Sequence, residues 1–340
     1  MSCGYEISGF GLANYDGSVN ERALAAGKVA RIITENMDIF INSKPTPAQV
    51  AILYNIQAHK ALACLRAESA EVIRKDIFGI YKSLMNLGLN VDFLHLTDFG
   101  GDLSRYKVIF LPFSIALNEK TAEAIDDYIS HGGTVVADGR LAWMKEDGTL
   151  CEKIPGLGLD KIFGCEELWM KEVKMQTTLE FNGLKLSACR YISVYKTLGA
   201  KPVAMYENNP VIVENNHNSG KAIMIGTLIG AGYEETGNMN NLDLIKKIIL
   251  ESDVKQQYYL EDVEIRSSSS SENGLVYLFN HGNTKSVFDA SISHDIFGKS
   301  FKEAICLNLS KTLMFEDDGK SAILKNVSLN PGQTMVVLLK

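Results

Sequence analysis

Residues 107–137 read KVIFLPFSIALNEKTAEAIDDYISHGGTVVA and combine two apolar runs with an amphipathic segment between them. Lys107 to Pro112 and Thr134 to Ala137 are short apolar runs of the kind found in strands that are buried on both faces. Glu119 to Ser130 is a predicted helix, which Gly132-Gly133 ends. Parallel neighbours need a crossover helix between them, so this stretch predicts a parallel strand–helix–strand unit.

The same alternation continues towards the N-terminus. Gln49 to Tyr54 and Val91 to Leu96 are further predicted strands, and an amphipathic helix from Glu71 to Leu87 separates them. A longer helix is predicted before them, from about Glu21 to Ile41. Strands and helices that alternate with short connections are typical of a doubly wound parallel sheet.

The pattern changes further along the chain. From about Leu168 to Ile225, short alternating stretches predict a β-insertion within the α/β domain, which a core strand at Lys221 to Thr227 and a helix at Asn241 to Glu251 complete. Gln256 to Lys340 is predicted to be all strand and turn, as in a small antiparallel sandwich or barrel. Its run Ser267 to Ser271 fits a flexible linker or a hairpin tip, and the flanking strand patterns favour the tip.

Composition argues against several classes of partner. The chain has 340 residues and a formal net charge of −7 at pH 7, so it offers no basic field to a nucleic acid. No apolar run approaches the ~20 residues that a membrane helix needs, and the N-terminus lacks the regions of a signal peptide. We therefore expect a cytoplasmic protein with neither nucleic-acid nor membrane partners.

The residues that most often carry chemistry form no clear site. The cysteines lack Cys-x-x-Cys spacing, so we expect free thiols and no metal ion. Neighbouring carboxylates diverge on a strand or a helix and make a poor acid–nucleophile pair. The Gly-x-Gly segments lack the rest of a dinucleotide loop and predict ordinary turns, so we expect no cofactor. The cysteines are Cys3, Cys64, Cys151, Cys165, Cys189 and Cys306. The neighbouring carboxylates are at residues 126–127, 166–167, 234–235 and 316–318. The Gly-x-Gly segments are residues 9–11, 156–158 and 230–232.

Several motifs, in order, resemble the C-terminal half of family 42 glycoside hydrolases over almost the whole chain. GFGLANYDGSVNERALAAGKVARII is similar to the end of the family's catalytic barrel and the helix that follows it. VAILYN, GIYKSLMNLGLNVDF, PGLGLDKIFG and the stretch from Leu103 to Arg140 resemble its trimerisation domain. VEIRSS, GLVYLFNHGNT and VSLNPGQTMVVLL resemble its C-terminal β-domain.

The resemblance implies a fold and a division into domains. The expected fold is a flavodoxin-like parallel sheet sandwich with a β-insertion, like that of class I glutamine amidotransferases, followed by a small antiparallel β-sandwich. Residues 1–42 would be the remnant of the barrel end and the linking helix. Residues 43–255 would be the trimerisation domain, and residues 256–340 the C-terminal β-domain.

The resemblance also implies what is missing. Family members are retaining β-galactosidases whose two catalytic glutamates lie on barrel strands 4 and 7, and this chain begins after both. We therefore expect no catalytic residue, and a role as the non-catalytic assembly part of such an enzyme. The expected partners are further copies of the chain, in a trimer or weaker oligomer, and a separately encoded catalytic barrel.

Other activities of this fold receive less support from the residues. Class I amidotransferases need a cysteine on a glycine-flanked strand-to-helix elbow and a His-x-Glu downstream, and the chain has neither. A free-standing protein that binds a sugar or another ligand is the remaining alternative.

One loop is a candidate contact. Leu141, Trp143 and Met144 follow a predicted strand at the carboxyl edge where open α/β sheets hold ligands. Trp143 in such a loop could touch a sugar or a neighbouring subunit, and we favour the subunit.

Overall fold

The computed structural model describes residues 11–14, 16–65, 70–173, 177–181, 183–259 and 263–340. The chain divides into two compact units. Pro47–Glu261 forms one, which we call the α/β unit, and Met1–Thr46 with Asp262–Lys340 forms the other, which we call the terminal unit. The three domain ranges expected from the sequence stay predictions.

The helices and strands have the following bounds. The helices are α1 Glu21–Glu35, α2 Met37–Asn42, α3 Ile56–Cys64, α4 Ala70–Asn86, α5 Glu119–Ser130, α6 Leu159–Ile162, α7 Ile229–Thr236, α8 Met239–Glu251 and α9 His294–Phe297, with a 3-10 helix at Leu96–Gly100. The strands are β1 Lys44–Pro45, β2 Val50–Leu53, β3 Val91–Leu94, β4 Val108–Leu111, β5 Ala116–Leu117, β6 Thr134–Asp138, β7 Met144–Lys145, β8 Cys165–Glu172, β9 Thr178–Phe181, β10 Leu184–Ser187, β11 Tyr191–Thr197, β12 Lys201–Tyr206, β13 Asn209–His217, β14 Gly220–Ile225, β15 Tyr258–Tyr259, β16 Glu264–Ser269, β17 Gly274–Phe279, β18 Ser286–Ser293, β19 Ala304–Cys306, β20 Lys311–Thr312, β21 Phe315–Asp317, β22 Ser321–Leu329 and β23 Thr334–Leu339.

A parallel sheet forms the centre of the α/β unit, as the sequence predicts. Its parallel strands run in the order β3-β2-β4-β6-β14, and β13, β12, β9 and β10 extend it antiparallel. Every residue of β2, β4 and β6 is buried, because apolar side chains pack on both faces of the sheet. One face packs against α3, α4, α7 and α8, and the other against α5 and α6.

The predicted β-insertion is confirmed. Strands β8 to β13 lie in the chain between β7 and β14, and β13 joins the parallel part of the sheet through its antiparallel pairing with β14. The turn between them is Asn218-Ser219, and Asn218 adopts a positive φ of 50°, which asparagine tolerates well. The predicted turn at Asn182-Gly183 involves a residue outside the described ranges, although β9 and β10 on either side pair as a hairpin.

The terminal unit contains the predicted antiparallel strands. One sheet has the order β1-β16-β17-β23-β19-β20, and a second contains β18-β22-β21. Ser269 pairs with Gly274, so the serine run ends at the tip of the β16–β17 hairpin, as predicted. The helix predicted from Glu21 to Ile41 is interrupted at Asn36, and neither α1 nor α2 contains a buried residue.

One prediction from local sequence is wrong, and one helix is missing from the predictions. Residues 230–232 were predicted to form an ordinary turn but lie in α7, while α3 was not predicted at all. α7 packs closely on α4: a Cβ on Gly79 would lie 1.9 Å from the Gly230 carbonyl oxygen, and one on Gly230 would lie 2.1 Å from the Asp76 carbonyl oxygen. These glycines allow the backbones of two helices to come into contact. Local sequence does not reveal this contact.

This contact gives a prediction about stability. Gly79→Ala should lower the free energy of unfolding by about 2–3 kcal/mol, because the new methyl group meets backbone that cannot move aside. Gly27→Ala in α1 is the matched control, since nothing lies within 4 Å of its Cβ position and helix propensity should stabilise it by about 0.5–1 kcal/mol. Urea unfolding followed by circular dichroism measures both, and equal effects would contradict the close contact.

Candidate functional site

The segment after β6 turns sharply at the carboxyl edge of the sheet. Gly139 has a φ of 63°, and a Cβ there would lie 2.6 Å from Tyr191 Oη and 2.8 Å from Phe113 Cδ2. Glycine is therefore required on two counts, a left-handed backbone and close aromatic neighbours. Asp138, the last residue of β6, precedes this turn, and Arg140 follows it.

Arg140 forms a partly buried ion pair with Glu167 of β8. Its Nε lies 3.1 Å from both carboxylate oxygens of Glu167, and its Nη2 lies 2.8 Å from Oε1. The Ser193 hydroxyl donates a further hydrogen bond to Glu167 Oε2 at 2.9 Å. The guanidinium also lies over the Trp143 ring, 4.5 Å from its centroid. Bidentate pairing and the cation–π contact fix the orientation of Trp143.

The three predicted contact residues occupy different environments. Leu141 is 0% exposed in the core on one face of the sheet, and Met144 is 5% exposed in the core on the other. Trp143 is half-buried against the same core as Met144. Only Trp143 therefore presents surface to a second molecule. A contact through this loop stays a prediction, and burial restricts it to Trp143.

A buried carboxyl pair lies below this loop. Asp76 of α4 and Asp138 of β6 are both buried and close enough to influence each other's ionisation, and Oδ2 of each has no hydrogen-bond partner among the described residues. Asp76 Oδ1 also accepts the Ala231 N–H at 2.9 Å, from the first turn of α7. Asp138 Oδ1 accepts the Phe113 N–H at 2.7 Å. The pair thus connects α4, α7, β6 and the loop after β4.

Burial determines the protonation of this pair. It raises the pKa of Asp76 to about 6, although the hydrogen bonds that Asp76 accepts oppose that rise. Burial, together with the Asp76 carboxyl group, raises the pKa of Asp138 well above its usual range. Two carboxyl groups in contact cannot both ionise without strong repulsion, so they share a proton at neutral pH. Tyr191, whose hydroxyl is also buried, lies beside them, and burial raises its pKa as well.

Two features of the sequence indicate this pair. Asp138 ends an otherwise apolar strand, and Asp76 shares the buried face of α4 with Ile73, Ile77 and Ile80. A carboxyl group on an apolar face needs a partner, because an isolated buried charge is very unfavourable. Adjacency in the sequence does not reveal Asp76 and Asp138, because these two acidic residues meet only in the fold.

Three of the free thiols, those of Cys165, Cys189 and Cys306, are buried, and their surroundings disfavour the thiolate. Burial raises the pKa of Cys189 to about 12 and also raises the pKa values of Cys165 and Cys306. A thiolate is the reactive form, so these three are poor nucleophiles at neutral pH. Cys3 lies outside the described residues. Within the described ranges, no group of three or more His, Cys, Asp or Glu side chains is arranged to hold a metal ion.

Comparison with known proteins identifies the α/β unit. The family model described as β-galactosidase trimerisation domain, of glycoside hydrolase family 42, matches residues 48–255. The chain belongs to this family. The expected resemblance is confirmed, and the matched range covers nearly all of the α/β unit.

Two curated relatives and one solved structure extend the comparison. The β-galactosidase Pbg of Clostridium perfringens is 22% identical over 58% of this chain and 30% of its own length. A β-1,2-glucosyltransferase of Ignavibacterium album is 19% identical over 68% of this chain and 32% of its own. A β-galactosidase of Bacillus circulans sp. alkalophilus superposes with a TM-score of 0.74 at 16% identity, over 97% of this chain and 47% of its own. This trimerisation-domain chain therefore spans about a third of the curated relatives' length and shares the fold of part of that structure.

The helices of the trimerisation domain and its neighbours provide no membrane span. No helix among the described residues is both long enough and apolar enough to cross a bilayer.

The shared proton gives a prediction about pH. In the unfolded chain an aspartate ionises near pH 3.9, whereas the folded pair retains its proton to higher pH. The folded chain therefore loses stability as pH rises from about 4 through 6 and beyond, by an amount on the order of 1–3 kcal/mol. In Asp138→Asn, the amide can accept the Phe113 N–H and donate to an ionised Asp76, so this loss should shrink.

Urea unfolding at intervals between pH 4 and 8 measures the effect. Asp243→Asn, at an exposed position of α8, is the matched control and should keep the wild-type slope. An Asp138→Asn profile parallel to that of the control would show that the pair holds no extra proton.

Proposed function

We propose that this chain is the non-catalytic assembly part of a β-galactosidase-type glycoside hydrolase. The observation that carries the proposal is the match of the trimerisation-domain family to residues 48–255, nearly the whole α/β unit. The proposed partners are further copies of the chain, in a trimer or weaker oligomer, and a catalytic barrel. The residues that hydrolyse the glycosidic bond would then lie on the barrel.

The arrangement of carboxyl groups supports a non-catalytic role. A retaining glycosidase needs two carboxyl groups about 5 Å apart that face a sugar. Asp76 and Asp138 are in contact, but they are buried and share a proton. In a groove of about 500 Å³, Glu119 and Asp160 face Lys145 and Lys153 at 3.1 and 3.6 Å. Neither arrangement presents an acid and a nucleophile to a substrate.

We also propose that the α/β unit has the architecture of class I glutamine amidotransferases. Strand order β3-β2-β4-β6-β14 supports this, because numbering the parallel strands along the chain gives the order 2-1-3-4-5 of flavodoxin-like folds. The high pKa of Cys189 argues against amidotransferase chemistry. The fold would thus serve as a scaffold.

The alternative of a free-standing ligand-binding protein receives less support. A groove of about 370 Å³ does lie at the ends of β2 and β3, where such folds hold ligands. However, His95 caps the 3-10 helix beside it, and Asn118 caps α5 and donates to Glu146 at 2.9 Å. These polar side chains already have structural partners, so they are poorly placed to recognise a ligand.

The first functional prediction concerns activity. The chain at micromolar concentration should hydrolyse a chromogenic β-galactoside no faster than buffer, because neither carboxyl arrangement described above presents an acid and a nucleophile to a substrate. Release of nitrophenol is the measurement. Turnover that disappears when one Asp or Glu of this chain is substituted would contradict the proposal.

A second prediction concerns assembly. Size-exclusion chromatography with light scattering should give a mass above that of one 37.5 kDa chain at high micromolar concentration. Trp143→Ser should shift the equilibrium towards the monomer by about tenfold, because it removes the aromatic surface that Arg140 orients.

Trp169→Ser is the matched control for that substitution. Trp169 is also half-buried and lies below a cation, with Lys171 Nζ 5.7 Å from its ring centroid. The control should leave the mass unchanged. A wild-type chain that stays monomeric at high micromolar concentration would refute the assembly role itself.

A further inference from the structure

Three aromatic rings form an exposed row at the edge of the α/β unit. Phe78 and Tyr81 lie on α4, with ring centroids 6.5 Å apart and planes nearly parallel. Phe93 of β3 continues the row, 5.6 Å from Tyr81. Phe78 is 41% exposed and Phe93 is 51% exposed. We call these three side chains the aromatic row.

The aromatic row is not required for the core of the unit. The buried face of α4 includes Ile73, Asp76, Ile77, Ile80 and Leu84, and these residues pack towards the sheet and α7. Phe78 points away from that face. Phe93 alternates with the buried Leu94 along β3. Both rings therefore remain about half exposed to water in the single chain, which is unfavourable for side chains of this size.

The row lies beside a sheet edge that is open among the described strands. β3 ends the strand order of the sheet and pairs there only with β2. Proteins usually protect such edges, because an open edge invites other chains to pair with it. On this edge, Asp92 is held by Arg105 at 2.8 Å, while Phe93 stays uncovered. An exposed apolar group at an open edge is typical of an interaction surface.

The charges around the row identify the kind of partner. Lys82 Nζ lies 4.6 Å from the Phe78 ring centroid and also pairs with Glu234 at 2.8 Å. Lys75 pairs with Glu235 at 3.0 Å. Both cations are neutralised within the chain, so the rim has no excess of one sign with which to attract phosphate or a highly charged protein. An aromatic centre with a mixed, paired polar rim is typical of a protein–protein contact.

We propose that the aromatic row docks onto a second copy of this chain. The inference rests on the proposed assembly function and specifies one of its faces. All three rings lie within residues 48–255, the range that matches a family described by its trimerisation. In a closed ring of three copies, each contact joins two different faces, so the row meets another face of its neighbour rather than another row.

The test uses Phe78→Ser with Phe93→Ser in the full chain. We expect this double variant to fold and to associate at least tenfold more weakly than the wild type, as light scattering over a concentration series would show. Leu250→Ser is the matched control, because Leu250 is an exposed apolar residue of the same unit, on α8. The control should associate like the wild type.

The outcomes separate the row from the assembly function. If the wild type assembles and the double variant assembles equally well, the inference about the row is wrong and the assembly function stands. A wild type that stays monomeric overturns both. If the double variant fails to fold, each single substitution is measured in its place, and association unchanged in both singles overturns the inference.

A sugar is the competing occupant of an aromatic surface. Titration with galactose and lactose, followed by intrinsic fluorescence, tests it on the same proteins. Sugar binding that the double variant loses, with an unchanged mass, would assign the row to a carbohydrate and overturn the inference. We expect no saturable fluorescence change in either protein.

Discussion

The buried carboxyl pair of Asp76 and Asp138 connects the elements at the centre of the α/β unit. Asp138 ends a strand that is buried on both faces, and Asp76 comes from the helix that covers one of them. Without a shared proton, two buried carboxylates would repel each other and remain without solvent. The backbone N–H of Ala231 adds a donor from α7. A shared proton therefore stabilises the contact among α4, α7 and β6.

The glycines of α4 and α7 make that meeting possible. Asp76 reaches the first turn of α7 only if the two helices approach closely, and Gly79 and Gly230 leave the space for that approach. Sequence periodicity predicted α4 correctly, because its apolar residues recur at helical spacing. The same periodicity wrongly predicted a turn at Gly230-Ala-Gly232. Glycine has a low helix propensity, and here tertiary packing overrides it. The packing partner lies in a distant part of the sequence.

The same division between local and distant information holds elsewhere. The helix from Glu119 to Ser130 and the strand at Thr134 were predicted accurately, because apolar spacing and the glycines after the helix are local signals. α3 was missed even though Asn55 caps it by accepting from the Gln57 and Ala58 N–H groups. Trp143 could be placed in a loop, but burial of its neighbours Leu141 and Met144 depends on both faces of the sheet.

The titratable and amide side chains described at the carboxyl edge largely hold the fold together. Glu167 neutralises Arg140, Asp76 and Asp138 share a proton, and Asn55 donates to the Ala116 carbonyl across the ends of β2 and β5. Catalysis needs groups whose charge can change while they touch a substrate. Groups that are buried or paired within the chain cannot do so without loss of stability. The exposed aromatic side chains are neither buried nor charged, which supports the proposed function in assembly.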